Sequence, residues 1–309
     1  MNKPKFWMMV GLPGSGKSYK AKELADEHDA NIHSSDAIRE ELLGDINAQD
    51  ANGVVFTTLH NRVKEDLRNG KSCIYDATNI SYKRRMAFLQ EFKNIPCEKI
   101  CFLMATPYEQ CLKNNAARDR SVPEYVIERM YRQFDVPWEY EGCDKIYVEY
   151  FDGSEDSFGA AKRWLDDQMN YNQENSHHTL TLGEHCLKAV EYVDNHASEY
   201  DGVNFDIVRR ATMIHDCGKQ FCKTFINGKG AITEQAHYYS HEHTGSYDSL
   251  FYDTNGDNLY IAVLIRWHMQ VYYWEKDNNE KLHNKYLRLW GEELYNDIMT
   301  LHEADKAAH

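Results

Sequence analysis

The spacing of apolar and polar positions changes along this 309-residue chain. In the first half, short continuous apolar runs at 6–10, 72–75, 99–104 and 146–150 predict buried strands. Between and after them, apolar residues recur every three or four positions, which predicts helices at 17–27, 54–69, 82–92, 108–117, 124–134 and 156–169. Strands that alternate with helices indicate an α/β domain with a parallel sheet covered on both faces.

The pattern of the second half is almost entirely helical. Apolar residues at helical spacing predict helices at 182–196, 205–215, 238–251, 259–268 and 281–304, with a turn at 225–230. The intervening segment 170–176 is polar and lacks helical periodicity. We therefore predict an α/β domain over 1–169, a linker over 170–176 and an all-α domain over 177–309.

Composition narrows the classes of partner and compartment. The net charge is −14, and beyond Leu165 only 12 Lys and Arg residues accompany 23 Asp and Glu residues. A protein that follows a long phosphate backbone needs a broad basic surface, so a nucleic-acid substrate is expected to be held by its end. No apolar run is long enough to span a membrane, and the eight cysteines form no Cys-x-x-Cys pair. We expect a cytoplasmic protein with reduced cysteines and no membrane partner.

A glycine-rich loop follows the first predicted strand. Gly11-Leu12-Pro13-Gly14-Ser15-Gly16-Lys17-Ser18 matches G-x-x-x-x-G-K-[ST] and leads into a predicted helix. In this pattern the backbone N–H groups of Gly14, Ser15 and Gly16 hold phosphates, Lys17 neutralises them and Ser18 binds Mg²⁺. The loop therefore predicts ATP and Mg²⁺ as cofactors, against the alternative of a flexible glycine turn.

Asp36 and Arg39 lie three residues apart in the segment 31–39. We expect both on one face, in the opening turn of a further helix that follows the first one. A carboxylate beside the phosphate loop can accept a proton from an attacking hydroxyl, and the arginine can hold a neighbouring phosphate. The alternative is a helix N-cap followed by a solvated charge.

Several segments together resemble the kinase domain of phage-type 5′-polynucleotide kinases, over about residues 5–140. They are the loop at 11–18, the segment 31–39, Tyr75–Asn79 with Lys83–Arg85, and 118–131. The resemblance implies that Asp36 is the general base, that Arg39 binds the acceptor phosphate, and that Arg118 or Arg120 is a lid arginine on the donor phosphates. It also implies that Asp76 lines the site near the metal and the acceptor. For Arg84 and Arg85, an exposed helix face is the alternative.

The second half contains candidate metal ligands. His215 and Asp216 are adjacent, at the end of a predicted helix and before Gly218. Two ligand types at such a position suit a divalent metal. His185 and Asp305 lie far away in the sequence and can join them only if the helices fold together.

This half resembles the HD phosphohydrolase superfamily, and in particular the HD domain attached to CCA-adding enzymes, over about 177–309. The resemblance implies a first metal held by His185, His215, Asp216 and Asp305. In binuclear members a second metal is bridged by the aspartate and held by two more histidines, which match His241 and His268. The implied metals are one or two ions such as Mn²⁺, Ni²⁺, Co²⁺ or Fe²⁺. Two ions polarise a phosphate and activate water.

Together, the two halves predict a bifunctional enzyme that heals nucleic-acid ends. One site phosphorylates a 5′-hydroxyl of RNA or DNA, and the other removes a 2′,3′-cyclic, 2′- or 3′-phosphate, with a nucleic-acid ligase as functional partner. The chain resembles the fused HD and polynucleotide kinase proteins of bacteria, with the domain order reversed. A nucleoside or small-metabolite kinase fused to an HD nucleotidase is the alternative, and a nucleotide-gated sensor is a third. The sequence assigns no base-binding residue among its 21 tyrosines.

Overall fold

The computed structural model describes residues 3–46, 48, 51–151, 159–176, 179–252 and 256–309. Its contacts divide the chain into two units. The first comprises Met1–Met130 with Pro137–Gly153, and the second comprises Tyr131–Val136 with Ser154–His309. In the described residues, no helix is both long and apolar enough to cross a membrane. All eight cysteines are free and seven are buried.

The first unit is a five-stranded parallel sheet with helices, which confirms the predicted α/β pattern. The strand order is β2-β3-β1-β4-β5, so β1 is central, with β3 and then β2 on one side and β4 and then β5 on the other. Its elements are β1 (Lys5–Val10), α1 (Lys17–His28), β2 (Asn31–Ser34), α2 (Ser35–Leu43), α3 (Asn52–Arg68), β3 (Cys73–Asp76), α4 (Tyr82–Glu91), β4 (Glu98–Ala105), α5 (Tyr108–Ala116), α6 (Glu124–Tyr131) and β5 (Lys145–Tyr150). The carboxyl end of β1 is where strand order reverses, and ligands bind at such points in open α/β sheets.

Alternate residues of β1 are buried on opposite faces of the sheet because side chains alternate along a strand. Trp7 and Met9 pack in one cluster with Ala21 and Leu24 of α1. Phe6 lies on the other face, where its ring meets Phe88 and Phe92 at centroid distances of 5.8 and 5.0 Å. The continuous apolar run of β1 therefore reflects burial on both sides.

A buried ion pair ties α4 to the segment before β5. Arg85 Nε and Nη2 donate to the two carboxylate oxygens of Glu141 at 2.6 and 2.7 Å, and Nη1 donates to Asn79 O at 2.7 Å. Both side chains are almost completely buried. Arg85 is therefore a structural residue, whereas the adjacent Arg84 lies on the exposed helix face that we considered for both.

The second unit is mainly helical. Its elements are α7 (Ala160–Gln168), α8 (Leu182–His196), α9 (Phe205–Ile214), α10 (Lys219–Cys222), β6 (Thr224–Ile226), β7 (Ile232–His237), α11 (His241–Ser249), α12 (Asn258–Trp267), α13 (Gln270–Lys276) and α14 (Glu280–Ala307). Small side chains bring α8 and α14 together, since Ala189 and Val193 pack on Ala304 and Ala308.

Gly218 permits another close approach, between the start of α10 and α11. A Cβ atom at this position would lie 2.2 Å from His241 O and 2.5 Å from Gly245 N. Because backbone atoms cannot move aside as flexible side chains do, only glycine fits here. The contact holds the segment after Asp216 against the helix that begins with His241.

The prediction of an all-α second domain is wrong in one respect. The segment interpreted as a turn at 225–230 belongs to an antiparallel hairpin in which β6 pairs with β7. Its strands are short, and Phe225, Ile226 and Ile232 are exposed, so they lack the apolar run that marks a buried strand. Helix α13 was also not predicted.

Segment 170–176 lies inside the second unit, whereas we predicted a linker there. Leu182 N donates to Tyr171 O at 2.9 Å, Ala236 N donates to Glu174 O at 2.8 Å, and Gln173 is buried. Helix α7, which we placed in the first domain, also belongs to the second unit, where Ala161 N donates to Tyr252 O. Polar composition cannot distinguish a free linker from a segment whose backbone is hydrogen-bonded to its own domain.

Several predicted helix ends also differ. The helix predicted at 124–134 ends at Tyr131. The helix predicted at 238–251 ends at Ser249, and it begins only at His241 because Ser240 has a φ of 66°. The helix predicted at 156–169 spans Ala160–Gln168, and residues 156–158 lie outside the described residues.

The buried pair predicts a large stability effect. We expect Arg85→Met to lower the free energy of unfolding of the first unit by about 3–5 kcal/mol, because Glu141 keeps a buried charge without its partner. Arg62→Met, which removes an exposed pair with Glu41, should cost about 1 kcal/mol or less. Hydrogen exchange of the β1 and β3 amides in increasing urea measures both. Equal small losses in the two variants would contradict the structural role of Arg85.

Candidate functional site

The loop after β1 is shaped around its backbone. Gly14 has a φ of 86°, and a Cβ there would lie 2.2 Å from Cys111 O, so glycine is required. Thr106 Oγ1 donates to Ser15 O at 3.0 Å, and Asn114 Nδ2 donates to Gly14 O at 2.9 Å. Two loop N–H groups are engaged as well, because Ser15 N donates to Leu12 O and Gly11 N donates to Thr78 O, each at 3.1 Å. The backbone groups that helix geometry leaves for an anion are therefore the N–H groups at the start of α1.

Lys17 is the buried cation of this loop. Its Nζ donates to Leu12 O at 2.7 Å and lies 3.4 Å from Ser15 Oγ. Burial lowers the pKa of Lys17 to about 8, and the charge of Asp76 at the end of β3 partly opposes this shift. Ser18 is exposed in the first turn of α1. Lys17 and Asp76 are thus close enough to interact, as we expected for a site at the carboxyl end of the sheet.

Asp36 is held by two arginines. Its Oδ1 accepts from Arg39 Nη1 at 2.8 Å, and its Oδ2 accepts from Arg120 Nη1 at 3.3 Å. Arg120 Nη2 also donates to Ile46 O at 3.1 Å, and Arg39 Nη2 donates to Asn52 Oδ1 at 2.9 Å. The structure therefore brings Asp36, Arg39 and Arg120 together. Arg118 is instead near enough to Lys17 to lower its pKa, after the larger effects of burial, Asp76 and Cys111.

In the second unit, His185 and Asp305 lie beside the adjacent pair His215 and Asp216, although the three positions are far apart in the sequence. His185 Nε2 lies 3.2 Å from His215 Nε2, 3.4 Å from Asp216 Oδ2 and 3.0 Å from Asp305 Oδ1. His215 Nε2 lies 3.5 Å from Asp216 Oδ2 and 3.4 Å from Asp305 Oδ1. Four ligand atoms held about 2.1 Å from one ion are separated by about 3.0–3.4 Å, so this spacing fits a metal ion.

A second group shares Asp216. Its other oxygen, Oδ1, lies 3.2 Å from His241 Nε2 and 3.9 Å from His268 Nε2, and the two Nε2 atoms are 3.2 Å apart. Asp216 therefore presents one oxygen to each group. This is the arrangement in which a carboxylate can bridge two cations.

Backbone carbonyls set the tautomer of three of these histidines. The Nδ1 atoms of His215, His241 and His268 lie 2.8, 2.8 and 2.6 Å from the carbonyl oxygens of Thr212, Tyr238 and Ile265. Since a carbonyl only accepts, each Nδ1 carries the proton and each Nε2 presents a lone pair in the neutral ring. Lone pairs that point at each other repel unless a cation or a proton lies between them. The donor set thus fits a metal, and such hydrogen bonds are typical of metal-binding histidines.

The electrostatics of the cluster are strongly perturbed. Burial lowers the pKa of His268 to about 3, and the neighbouring imidazoles of His241 and His215 act in the same direction, since a proton on His268 would be repelled by a proton on either of them. For Asp216, burial acts in the opposite direction, but Lys219 and the histidines hold its pKa well below the usual range. His215 keeps a raised pKa despite its burial, because Asp216 is adjacent.

Three residues that contact this cluster were not among the predicted ligands. Lys219 Nζ lies 2.6 Å from Asp216 Oδ2, and Tyr272 Oη donates to Asp305 Oδ2 at 3.0 Å. His309 Nε2 lies 3.5 Å from Asp305 Oδ1, and His309 can form a ligand group with His185 and Asp305. Lys219 follows Asp216 by one helical turn, which is a usable signal. Nothing in the local sequence marks Tyr272 or His309.

Comparisons with known proteins cover mainly the first unit. Residues 6–137 match the AAA domain family model. The L-seryl-tRNA(Sec) kinase of Methanococcus maripaludis is 28% identical over 135 residues, which are 42% of this chain and 52% of that protein. The chain thus spans about half the length of this curated relative. Together with the fold, these matches support a P-loop kinase domain and a kinase-type transferase.

Two solved structures are also similar. One is a kinase-like protein from Chloroflexus aurantiacus, with a TM-score of 0.43 and 16% identity over 54% of this chain and 98% of that chain. The other belongs to a Pnkp1/Rnl/Hen1 RNA repair complex, with a TM-score of 0.39 and 22% identity over 43% of this chain and 44% of that chain.

The lowered pKa of Lys17 predicts proton uptake when nucleotide binds. At pH 8.5 a lysine with a pKa of about 8 is about one-quarter protonated, and an adjacent triphosphate favours the charged form. We expect ATP binding to take up about three-quarters of a proton. Calorimetry in buffers of different ionisation enthalpy measures it. Lys17→Arg, whose side chain stays charged, should show no uptake; uptake equal to that of the wild type would contradict the assignment.

The two ligand groups predict a defined metal stoichiometry. We expect up to two Mn²⁺ or Zn²⁺ ions per chain, one lost in His185→Ala, the other lost in His268→Ala, and both lost in Asp216→Ala. His243→Ala is the control, because His243 Nδ1 hydrogen-bonds Phe134 O and belongs to neither group. Elemental analysis after dialysis gives the count. If Asp216→Ala still binds as much metal as the wild type, the cluster is not the site.

Proposed function

We propose that this chain is a bifunctional enzyme that heals nucleic-acid ends. One unit transfers a phosphoryl group from ATP to a 5′-hydroxyl, and the other hydrolyses a 2′,3′-cyclic, 2′- or 3′-phosphate with divalent metal. The observation that carries the proposal is that one chain contains both a phosphate loop beside Asp36 and a separate cluster of converging imidazole Nε2 and carboxylate oxygens. Products with a 5′-phosphate and a 3′-hydroxyl are ends that a nucleic-acid ligase joins.

In the kinase unit, the acceptor oxygen attacks the γ-phosphorus and the bond to the β-phosphate oxygen breaks, so ADP leaves. The hydroxyl proton passes to an oxygen of Asp36. Lys17 and the N-terminus of α1 neutralise the transferred charge, and Mg²⁺ held near Ser18 and Asp76 supplies further neutralisation. Arg39 orients Asp36 and the acceptor, and Arg120 or Arg118 binds the donor phosphates once ATP is present.

In the second unit, the chain's residues prepare an ion-binding and phosphate-binding position. Tyr272 Oη donates a hydrogen bond to Oδ2 of Asp305, and the other carboxylate oxygen, Oδ1, lies near His185 and His215. Lys219 holds the Asp216 carboxylate from one side. Metal ions bound by His185, His215, Asp216, Asp305, His241 and His268 supply Lewis-acid polarisation of the phosphate and activation of water. An HD-type phosphohydrolase is the class of enzyme that such a ligand set fits.

The acceptor of the kinase has two candidate classes. The curated relative is named as a kinase of seryl-tRNA(Sec), which supports an acceptor hydroxyl carried by RNA. The net charge of −14 favours the second candidate, a kinase of nucleosides or small metabolites with an attached nucleotidase, because a polynucleotide is repelled by an acidic surface.

A single RNA tests both activities. The substrate carries a 5′-hydroxyl and a 2′,3′-cyclic phosphate and is incubated with ATP and Mg²⁺, Mn²⁺ or Ni²⁺. We expect Lys17→Ala to lose 5′-phosphorylation by at least about 100-fold while keeping hydrolysis, and Asp216→Asn to show the reverse. Exposed controls are Lys22→Ala and Asp206→Asn, which should keep both.

Separation of the products by electrophoresis shows each end independently. If labelled phosphate never reaches the 5′ end with any metal but does reach free nucleosides, the second candidate replaces the first. If neither acceptor is labelled, the kinase assignment falls. An unchanged cyclic phosphate with every metal removes the hydrolase half.

A further inference from the structure

A cavity of about 420 Å³ lies in the first unit between α3 and α4. Met8 of β1 and Tyr75 of β3 line it from the sheet, and Phe56 and His60 line it from α3. Its volume falls in the range of about 300–1,000 Å³ that is usual for small-ligand sites. None of the residues to which we assign a role in phosphoryl transfer lines this cavity.

The wall of the cavity is aromatic. His60 stacks on Phe88 at 3.9 Å between centroids, and Tyr75 meets Phe88 edge-on at 5.1 Å and 88°. Phe56 lies 6.5 Å from His60 at 64°. Within this wall Phe88 and Tyr75 are buried, whereas Phe56 and His60 are partly exposed. Such rings offer flat apolar faces to a planar ligand.

The same wall carries polar atoms. Tyr75 Oη and His60 Nε2 are 3.5 Å apart, and His60 Nδ1 lies 2.9 Å from Glu91 Oε1. Glu91 also lines the cavity. A ligand that combines a flat ring with hydrogen-bonding groups on its edge matches this mixture, and a sugar or an aliphatic side chain makes little use of it.

The cavity adjoins both parts of the proposed kinase site. Asn52 lines it and accepts from Arg39, which in turn donates to Asp36. On the other side, Thr78 lines it and accepts from Gly11 N of the phosphate loop at 3.1 Å. The cavity therefore shares lining residues with the hydrogen-bond networks of Asp36 and of the phosphate loop.

The cavity also has a positively charged rim. Arg84 lines it and is exposed, while its neighbour Arg85 is committed to Glu141. A guanidinium at this position suits a phosphate attached to the occupant. Ring, hydroxyl and phosphate together describe a nucleoside at the end of a phosphodiester chain.

We infer that this cavity receives the terminal nucleobase of the 5′-hydroxyl acceptor, which packs against Phe56 and His60 while Arg84 binds the phosphate that follows. The inference rests on the proposed kinase function and specifies its substrate. It makes Phe56 a specificity residue for acceptors that carry a base.

The test compares two acceptors with the full chain. One is a short oligonucleotide with a 5′-hydroxyl, and the other is identical except that its first residue is an abasic tetrahydrofuran. Base stacking on an aromatic side chain is worth about a 10-fold to 100-fold change in affinity. We expect the wild type to show a KM that is about 10-fold or more higher for the abasic acceptor, with kcat changed less.

Variants at Phe56 separate base recognition from folding. Phe56→Ala should raise KM for the acceptor with a base by about 10-fold, Phe56→Leu should raise it by a smaller factor, and both should leave KM for the abasic acceptor unchanged. A merely structural defect would impair both acceptors equally. Val54→Ala, at an exposed position of α3 outside the cavity lining, is the matched control.

The outcomes distinguish this inference from the function on which it rests. If the wild type phosphorylates both acceptors with equal KM, the cavity does not bind the base, although the kinase proposal stands. If Phe56→Leu impairs both acceptors alike, recognition by Phe56 is likewise overturned. If neither acceptor is phosphorylated while a small metabolite is, the polynucleotide kinase proposal fails and the inference fails with it.

Discussion

Helices leave backbone groups without intrahelical partners at both ends, and the two candidate sites are built on these groups. At the start of α1, unpaired N–H groups favour an anion. At the ends of α9 and α12, the unpaired carbonyls of Thr212 and Ile265 accept the Nδ1 protons of His215 and His268. The same hydrogen bonds that complete the helix ends aim the Nε2 lone pairs inward. One set of hydrogen bonds therefore both pairs the last carbonyls of the helices and orients the histidine rings.

The cluster in the second unit buries ionisable groups that would be costly without mutual compensation. Asp216 and Asp305 are almost inaccessible to solvent, and so are His185, His215 and His268. Burial raises the pKa of each carboxyl group, but Lys219, His215 and His241 lower that of Asp216 and His185 and His215 lower that of Asp305, and in both the lowering prevails. Gly218 adds a steric condition, since the segment after Asp216 must touch the backbone of α11. Such burial is weak evidence for a stabilising role, because an apolar core of equal volume is often as stable. The converging ligand atoms fit a metal ion instead.

In the first unit, hydrogen bonds likewise fix the phosphate loop and Asp36. Thr106, just after β4, and Asn114 of α5 donate to carbonyls of the phosphate loop, and Thr78 O after β3 accepts from the Gly11 N–H group. Asp36 is oriented by arginines from α2 and from the segment before α6. The cavity between α3 and α4 shares residues with both features. In the proposed kinase reaction, the acceptor, Asp36 and the phosphate donor meet at the carboxyl end of the sheet, where the strand order reverses.

Local patterns were sufficient for β1, β3, β4 and β5 of the sheet and for most helices. The run Phe6–Val10 and the loop at 11–18 predict a buried strand and a phosphate site, because burial on both faces and glycine conformation leave direct marks on neighbouring residues. Helix α8 was predicted with its observed ends, since Thr181 and Glu184 form a capping box that the sequence displays. The hairpin of β6 and β7 was missed because its exposed strands carry no apolar run.

The sequence by itself determined which residue types were available: a glycine loop with Lys17, a His-Asp pair, and further histidines and carboxylates at helical positions. Only the tertiary structure decided that His185, Asp305, His241 and His268 meet around the two oxygens of Asp216. It also decided that Arg85 is buried and Arg84 exposed, and that Phe56 and His60 border a cavity. The reason is physical: a motif is read from neighbours along the chain, whereas distances between ligand atoms depend on how helices separated by tens of residues pack.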